Sequence, residues 1–127
     1  KWAELEQDVS HVVKSVKDRA IVKVILETNL LTREEIARSA RACSDAGAHF
    51  VKTCTGFSTA GGNAGAASVE HVALIRENVS PEVQVKASGG IRNQETALAM
   101  IAAGATRLGT SSGIAIVSGS SPANSGY

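Results

Sequence analysis

Leu5, Val9, Val12, Val13 and Val16 recur at three- and four-residue intervals with charged residues between them. This spacing predicts an amphipathic helix over about residues 2–18. The short β-branched run Ile21 to Thr28, IVKVILET, predicts a strand. Thr32 followed by Glu35 forms a capping box, and Ile36, Ala40 and Cys43 then share one face of a helix that should stop at Gly47. A strand over 49–53 follows, then a glycine-rich loop and a helix over about 69–79, capped by Ser68 and closed by Ser80-Pro81. Strand 83–86, a helix from the Asn93 cap to Gly104, strand 106–109 and a short helix over 111–117 complete the order. The terminal SGSSPANSGY has no periodicity and reads as a mobile tail, 118–127.

Helices and strands therefore alternate, α-β-α-β-α-β-α-β-α. Such an order predicts an α/β fold of parallel βα units with right-handed crossovers. AGAHFVK and AGATRLG align Gly47 with Gly104, a faint internal repeat that puts Lys52 and Gly109 at equivalent strand ends. Carboxyl ends of strands are where α/β folds carry their chemistry.

The composition narrows the function classes. The 127 residues are 43% hydrophobic with a net charge of +1, and the charges are interspersed, which points away from nucleic acid and anionic membranes as partners. No apolar run approaches the roughly 20 residues that span a bilayer, and the first 20 residues lack a secretory pattern. Cys43 and Cys54 form no pairing motif, so a reduced, cytoplasmic protein is expected. A start at Lys1 instead of methionine reads as a fragment.

Two apolar runs end in lysine beside a small-residue turn: HFVKTCTGF at Lys52 and VQVKASGG at Lys86. On the first strand Val22, Val24 and Leu26 share one face, and Lys23, Ile25 and Glu27 share the other. On the third, Val83 and Val85 oppose Gln84 and Lys86; Lys52 shares parity with Phe50 and Cys54. The apolar set should face the helices, which turns the polar set to the opposite face, the interior in a barrel. A lysine there, among apolar groups and other cations, has its charged form disfavoured and becomes a nucleophilic amine able to form a Schiff base. Lys86, with Lys23, would supply the cations. A solvent-exposed strand end is the competing reading for each lysine.

The turns Ser88 to Ile91 and Gly109 to Gly113 place backbone amides before helices, an arrangement suited to phosphate as well as to ordinary turns. His11, His49 and His71 have no partner spacing and read as structural or solvent-exposed, with no metal expected. Glu27 either orients a lysine or pairs with Lys23.

The segments KVILET, FVKTCTGF, VKASGGIR and GATRLGTSSG, in this order and spacing from Lys23 to Gly113, resemble the 2-deoxyribose-5-phosphate aldolase family. The resemblance implies reversible cleavage of 2-deoxyribose 5-phosphate to glyceraldehyde 3-phosphate and acetaldehyde on a TIM barrel, without metal or cofactor. By motif, Lys52 is similar to the Schiff-base lysine. Lys86 resembles the second lysine, which keeps the first reactive and assists proton transfer. Gly56, Gly89, Gly90, Gly109, Ser111 and Ser112 correspond to positions lining the phosphate pocket, and Tyr127 resembles the C-terminal tyrosine that helps move a proton.

The resemblance covers only the C-terminal half of such a protein, taking residues 1–127 as a single domain. Asp8, Asp18 and Asp45 do not match the family's catalytic aspartate, which belongs to the other half. About four strands make an incomplete barrel with two open edges, so self-association or pairing with a complementary N-terminal half is expected. Three functions follow: a lyase polypeptide acting on a small phosphorylated sugar or aldehyde, an inert half-barrel, or a different phosphate-handling barrel enzyme such as an isomerase.

Overall fold

The computed structural model describes residues 1–56 and 65–119. Within them the order is α1 (Trp2–Ser15), β1 (Lys23–Ile25), a 3-10 turn (Thr28–Leu30), α2 (Arg33–Asp45), β2 (Phe50–Lys52), α3 (Val69–Asn78), β3 (Gln84–Ser88), α4 (Gln94–Ala102), β4 (Arg107–Gly109) and α5 (Gly113–Ser118). The strands form one open sheet in the order β1-β2-β3-β4, and every pair is parallel. The alternation read from the sequence is thus the architecture, four βα units side by side.

Local chemistry starts each long helix. Thr32 and Glu35 close both halves of the capping box, and Ser68 and Asn93 accept from the amides of His71 and Thr96. Gly47 takes a φ of +86° just past α2, the left-handed turn expected of it. The core lies between sheet and helices. Ile36, Ala40 and Cys43 of α2 and Val72 and Ile75 of α3 are fully buried with Val51, Val85 and Ala87 of the sheet. Each buried Ile or Val contributes about 1.5–3 kcal/mol.

Some expected bounds shift, for identifiable reasons. The helix predicted to residue 18 stops at Ser15, because Asp18 adopts a φ of +62° and the amides of Arg19 and Ala20 turn back to Val16. Val12, expected on its apolar face, is largely exposed. The strand predicted over 21–28 pairs fully only from Lys23 to Ile25. At its start the Val22 amide donates to His49 Nδ1, and at its end Glu27 turns left-handed at φ +57°. The last short helix begins at Gly113, not 111, since Thr110 Oγ1 accepts the Ser112 amide and holds the intervening residues as a turn. Of the expected tail 118–127, Ser118 is helical and Gly119 is left-handed; residues 120–127 lie outside the described residues.

Two consequences matter for the site. β1 and β4 are sheet edges, and on the β4 side Ile114 and Val117 stand 85% and 83% exposed. The sheet face turned away from the helices carries Lys23, Phe50, Lys52, Gln84, Lys86, Ser88 and Arg107, and nothing among the described elements packs over it as a layer.

Candidate active site

Parallel register builds a transverse row at the carboxyl half of the open face. Ile25 opposes Lys52, Lys52 opposes Lys86, and Lys86 opposes Arg107. Adjacent strands lie about 4.8 Å apart, and partners in register point to the same side, so the two lysines and the arginine emerge together. One layer nearer the amino ends, Phe50 forms a floor. Lys23 Nζ sits 5.4 Å and Arg107 Cζ 4.5 Å from its ring centroid.

One layer nearer the carboxyl ends the side chains become small. Ser88 opposes Gly109, and a Cβ on Gly109 would stand 2.2 Å from Ser88 Oγ and 3.1 Å from Lys86 Cε. A side chain there would have to displace Ser88 and Lys86 of the neighbouring strand. Beyond this layer opens a cleft of about 450 Å³, lined by Lys52, Lys86 and the loops after β2, β3 and β4. Seven expected residues meet there: Lys52, Lys86, Gly56, Gly89, Gly90, Gly109 and Ser111. Ser112 is not on the lining; it opens α5 behind Ser111. Tyr127 lies outside the described residues.

Sequence reading missed four contributors. Arg92, following the glycine turn, also lines the cleft. Thr110 Oγ1 donates to the Ile91 carbonyl and accepts from the Ser112 amide, tying the turns after β3 and β4 to each other. Thr53 is fully buried, donates to the Ser88 carbonyl and accepts the Ser88 amide, locking β2 to β3 just past the lysines. Arg107 was legible in principle, since it shares parity with Gly109 on β4. Glu27, expected to serve a lysine, instead accepts the Thr55 amide with both carboxylate oxygens.

The electrostatics are one-sided. Among the described residues no carboxylate pairs with Lys23, Lys52, Lys86 or Arg107. Lys86 is held below the ordinary lysine value, first by burial and then by the charges of Lys23, Lys52 and Arg107. A lysine in that state can give and take a proton closer to neutrality. Among the described residues Ser88 Oγ is buried without a partner at the cleft wall, which leaves its hydroxyl to meet a ligand. Burial pushes the Cys43 thiol up to about 11, far from this face. His71 is kept neutral-leaning by burial and by Arg33, and no group of three metal-ligating side chains occurs among the described residues. No helix among them is long and apolar enough to cross a membrane.

Fold and cleft together define a parallel βα-barrel segment, and solved structures that it resembles are named as aldolases. The chain overlays on QR15, an aldolase, with a TM-score of 0.77 at 42% identity, covering 92% of this chain and 50% of that one. The tetrameric deoxyribose phosphate aldolase of Aeropyrum pernix follows with a TM-score of 0.74 at 36% identity, covering 89% and 47%. DHODH from Eimeria tenella shares the fold alone, at 16% identity and a TM-score of 0.69; the strands and helices therefore do not specify the chemistry.

The curated relatives are narrower. The chain is 51% identical over 127 residues to the deoxyribose-phosphate aldolase of Clostridium novyi, covering 100% of this chain and 55% of that protein. It is 55% identical over 115 residues to that of Enterococcus faecalis, covering 91% and 50%. No family model matches the chain. The chain is thus similar to deoxyribose-phosphate aldolases, and it spans about half the length of the curated proteins it matches.

Proposed function

We propose that the chain is the C-terminal half of a 2-deoxyribose-5-phosphate aldolase and carries the lysine and phosphate side of its site. The observation behind this reading is the register of Lys52 with Lys86 on one face, beside a cleft rimmed by the turns after β3 and β4. Lys52 Nζ adds to the aldehyde carbon of the open-chain sugar phosphate and water leaves, forming the iminium. The C2–C3 bond then breaks: the C3 hydroxyl loses its proton, C3 becomes the aldehyde of glyceraldehyde 3-phosphate, and the bond's electrons form an enamine at C2. Protonation at C2 and hydrolysis release acetaldehyde and restore Lys52. Lys86 carries protons between these steps, which suits its reduced basicity.

The phosphate sits against the amides of Gly89, Gly90 and Ser111, with Gly56 and Gly109 giving access and Ser112 behind Ser111; Tyr127 assists proton transfer from the tail. No metal or other cofactor takes part. Two free, buried thiols suit a reducing cytoplasm, and cleavage of a sugar phosphate suits a role in carbohydrate degradation. The open edges at β1 and β4, with exposed Ile114 and Val117, suit pairing with a second copy or with a complementary N-terminal half, and only the latter would also bring the acid absent from this face.

Borohydride reduction in the presence of acetaldehyde, followed by peptide mass spectrometry, tests the reading. A reduced two-carbon adduct concentrated on Lys52 and lost in Lys86→Leu supports it. Scattered labelling of surface lysines, with no enrichment at Lys52, refutes it for the chain alone and leaves an inert half-barrel.

A further inference from the structure

Lys23 reaches the Phe50 ring from the neighbouring strand, in the same layer. Arg107 belongs to the layer above, in register with Lys86, yet its guanidinium crosses β3 and lies over the same ring at 4.5 Å. Phe50 itself is 4% exposed, and both cations lie over its ring. An arginine left to solvent would extend away from two lysines. This one, although exposed, folds back across β3 onto the ring.

We propose that Phe50 clamps the Arg107 guanidinium beside the lysine row, making Arg107 a positioning residue that contributes a fixed charge to the surroundings of Lys86. The geometry has two effects. Cation–π contact compensates for bringing a guanidinium among like charges. Parking it in the lower layer keeps the carboxyl-end cleft free for substrate while a positive charge stays beside Lys86. The groups facing Lys86 are Lys23 from β1, Lys52 from β2, Arg107 from β4 and Arg92 from the loop after β3. The lysines titrate themselves, whereas a guanidinium keeps its charge throughout the working range and holds its plane against an aromatic face. Arg107 is therefore the fixed member of the set beside Lys86. Burial and the charges of Lys23, Lys52 and Arg107 act on Lys86 in the same direction.

Its consequence for proton transfer rests on the aldolase reading above; the effect on Lys86 does not. The test is a pH titration of the full chain carrying lysine labelled with carbon-13 at Cε, with Lys86 assigned by its absence from Lys86→Met. In Arg107→Gln the Lys86 midpoint should rise by about half to one pH unit, the size expected for one charge several ångströms away at a partly screened site. Arg107→Lys, which keeps the charge, should restore at least half of that rise. Phe50→Leu, which releases the clamp without touching any charge, should give a smaller rise and serves if Arg107→Gln does not fold. An unchanged midpoint in Arg107→Gln and Phe50→Leu overturns the proposal, as does a rise that Arg107→Lys fails to reverse. Moved midpoints without a borohydride adduct on Lys52 would sink the aldolase reading and leave this one standing.

Discussion

The Glu27 carboxylate accepts the backbone N–H of Thr55 with both oxygens at 3.2 Å, bridging the end of the first strand to the loop that carries Gly56. Glu27 reaches it from a left-handed backbone, φ +57°, unusual for a residue with a Cβ. Two neighbouring bonds, from the Leu26 amide to the Lys52 carbonyl and from the Thr28 amide to the Thr53 carbonyl, hold the segment on either side. The carboxylate therefore fixes the start of the cleft wall immediately after Lys52.

Glu27→Ala should remove the carboxylate's hold on the Thr55 amide. A hydrogen bond to a charged acceptor contributes about 1–2 kcal/mol at a half-exposed site, so exchange of that amide should quicken roughly 5- to 30-fold. Hydrogen exchange read by mass spectrometry on peptides spanning 53–56 checks this. Unaltered protection at Thr55 would mean that the loop is held by other means.

The glycine that ends β4 gives a sharper steric prediction. A methyl group on Gly109 meets Ser88 Oγ, Ser88 Cβ and Lys86 Cε, all within 3.1 Å. Gly109→Ala should lower stability by about 1–3 kcal/mol. Ser88→Gly in the same chain should recover most of the loss, because it removes two of the three opposing atoms. Urea unfolding of the two single variants and the double variant measures the coupling; additive losses would show that the clash is relieved elsewhere.

Side-chain parity made the lysine face legible, and short-range hydrogen bonding made the helix starts legible. Thr32 with Glu35, Ser68 and Asn93 each act within three residues, so their chemistry is written locally. What escaped depends on long side chains crossing between units. Glu27 spans 28 residues to Thr55, and Thr110 spans 19 to Ile91. Arg107 finds Phe50 two strands away. Each has several plausible local roles, and only the register of the sheet selects among them. The first strand's bounds were hidden for a related reason: IVKVILET is β-prone throughout, but pairing is set by the neighbour and by the turn at Glu27.

Arg76 illustrates a structural role that no motif advertised. Its guanidinium donates to the carbonyls of Val79, Ser80 and Val83, binding the end of α3 to the start of β3. Its stem lies against Gly104, where a Cβ would come within 2.7 Å of Arg76 Cγ. Arg76→Ala should cost about 2–3 kcal/mol, since three charge-assisted bonds and the stem packing go together at a partly buried site. Arg76→Lys should recover less than half, because an ammonium lacks the planar fork. Chemical denaturation gives both values, and a loss below about 0.5 kcal/mol, the size of an ordinary surface change, would contradict this account.

Lys86 links the site to stability through pH. Burial, and then Lys23, Lys52 and Arg107, hold its folded-state value below the ordinary 10.5. Between the folded value and 10.5 the unfolded chain binds more protons, so this residue makes stability rise with pH across that window. Below the window the amine is charged in both states and its penalty is constant; above it the penalty is gone. Lys86→Met removes the penalty at every pH. Its advantage over the parent chain should therefore be greatest near pH 7 and shrink as pH climbs toward 10.5. Urea midpoints for both proteins at pH 7, 9 and 10.5 decide the matter. A difference that stayed constant or grew would mean that Lys86 is as easily charged in the fold as in the unfolded chain, and its assignment as the proton carrier would lose its physical basis.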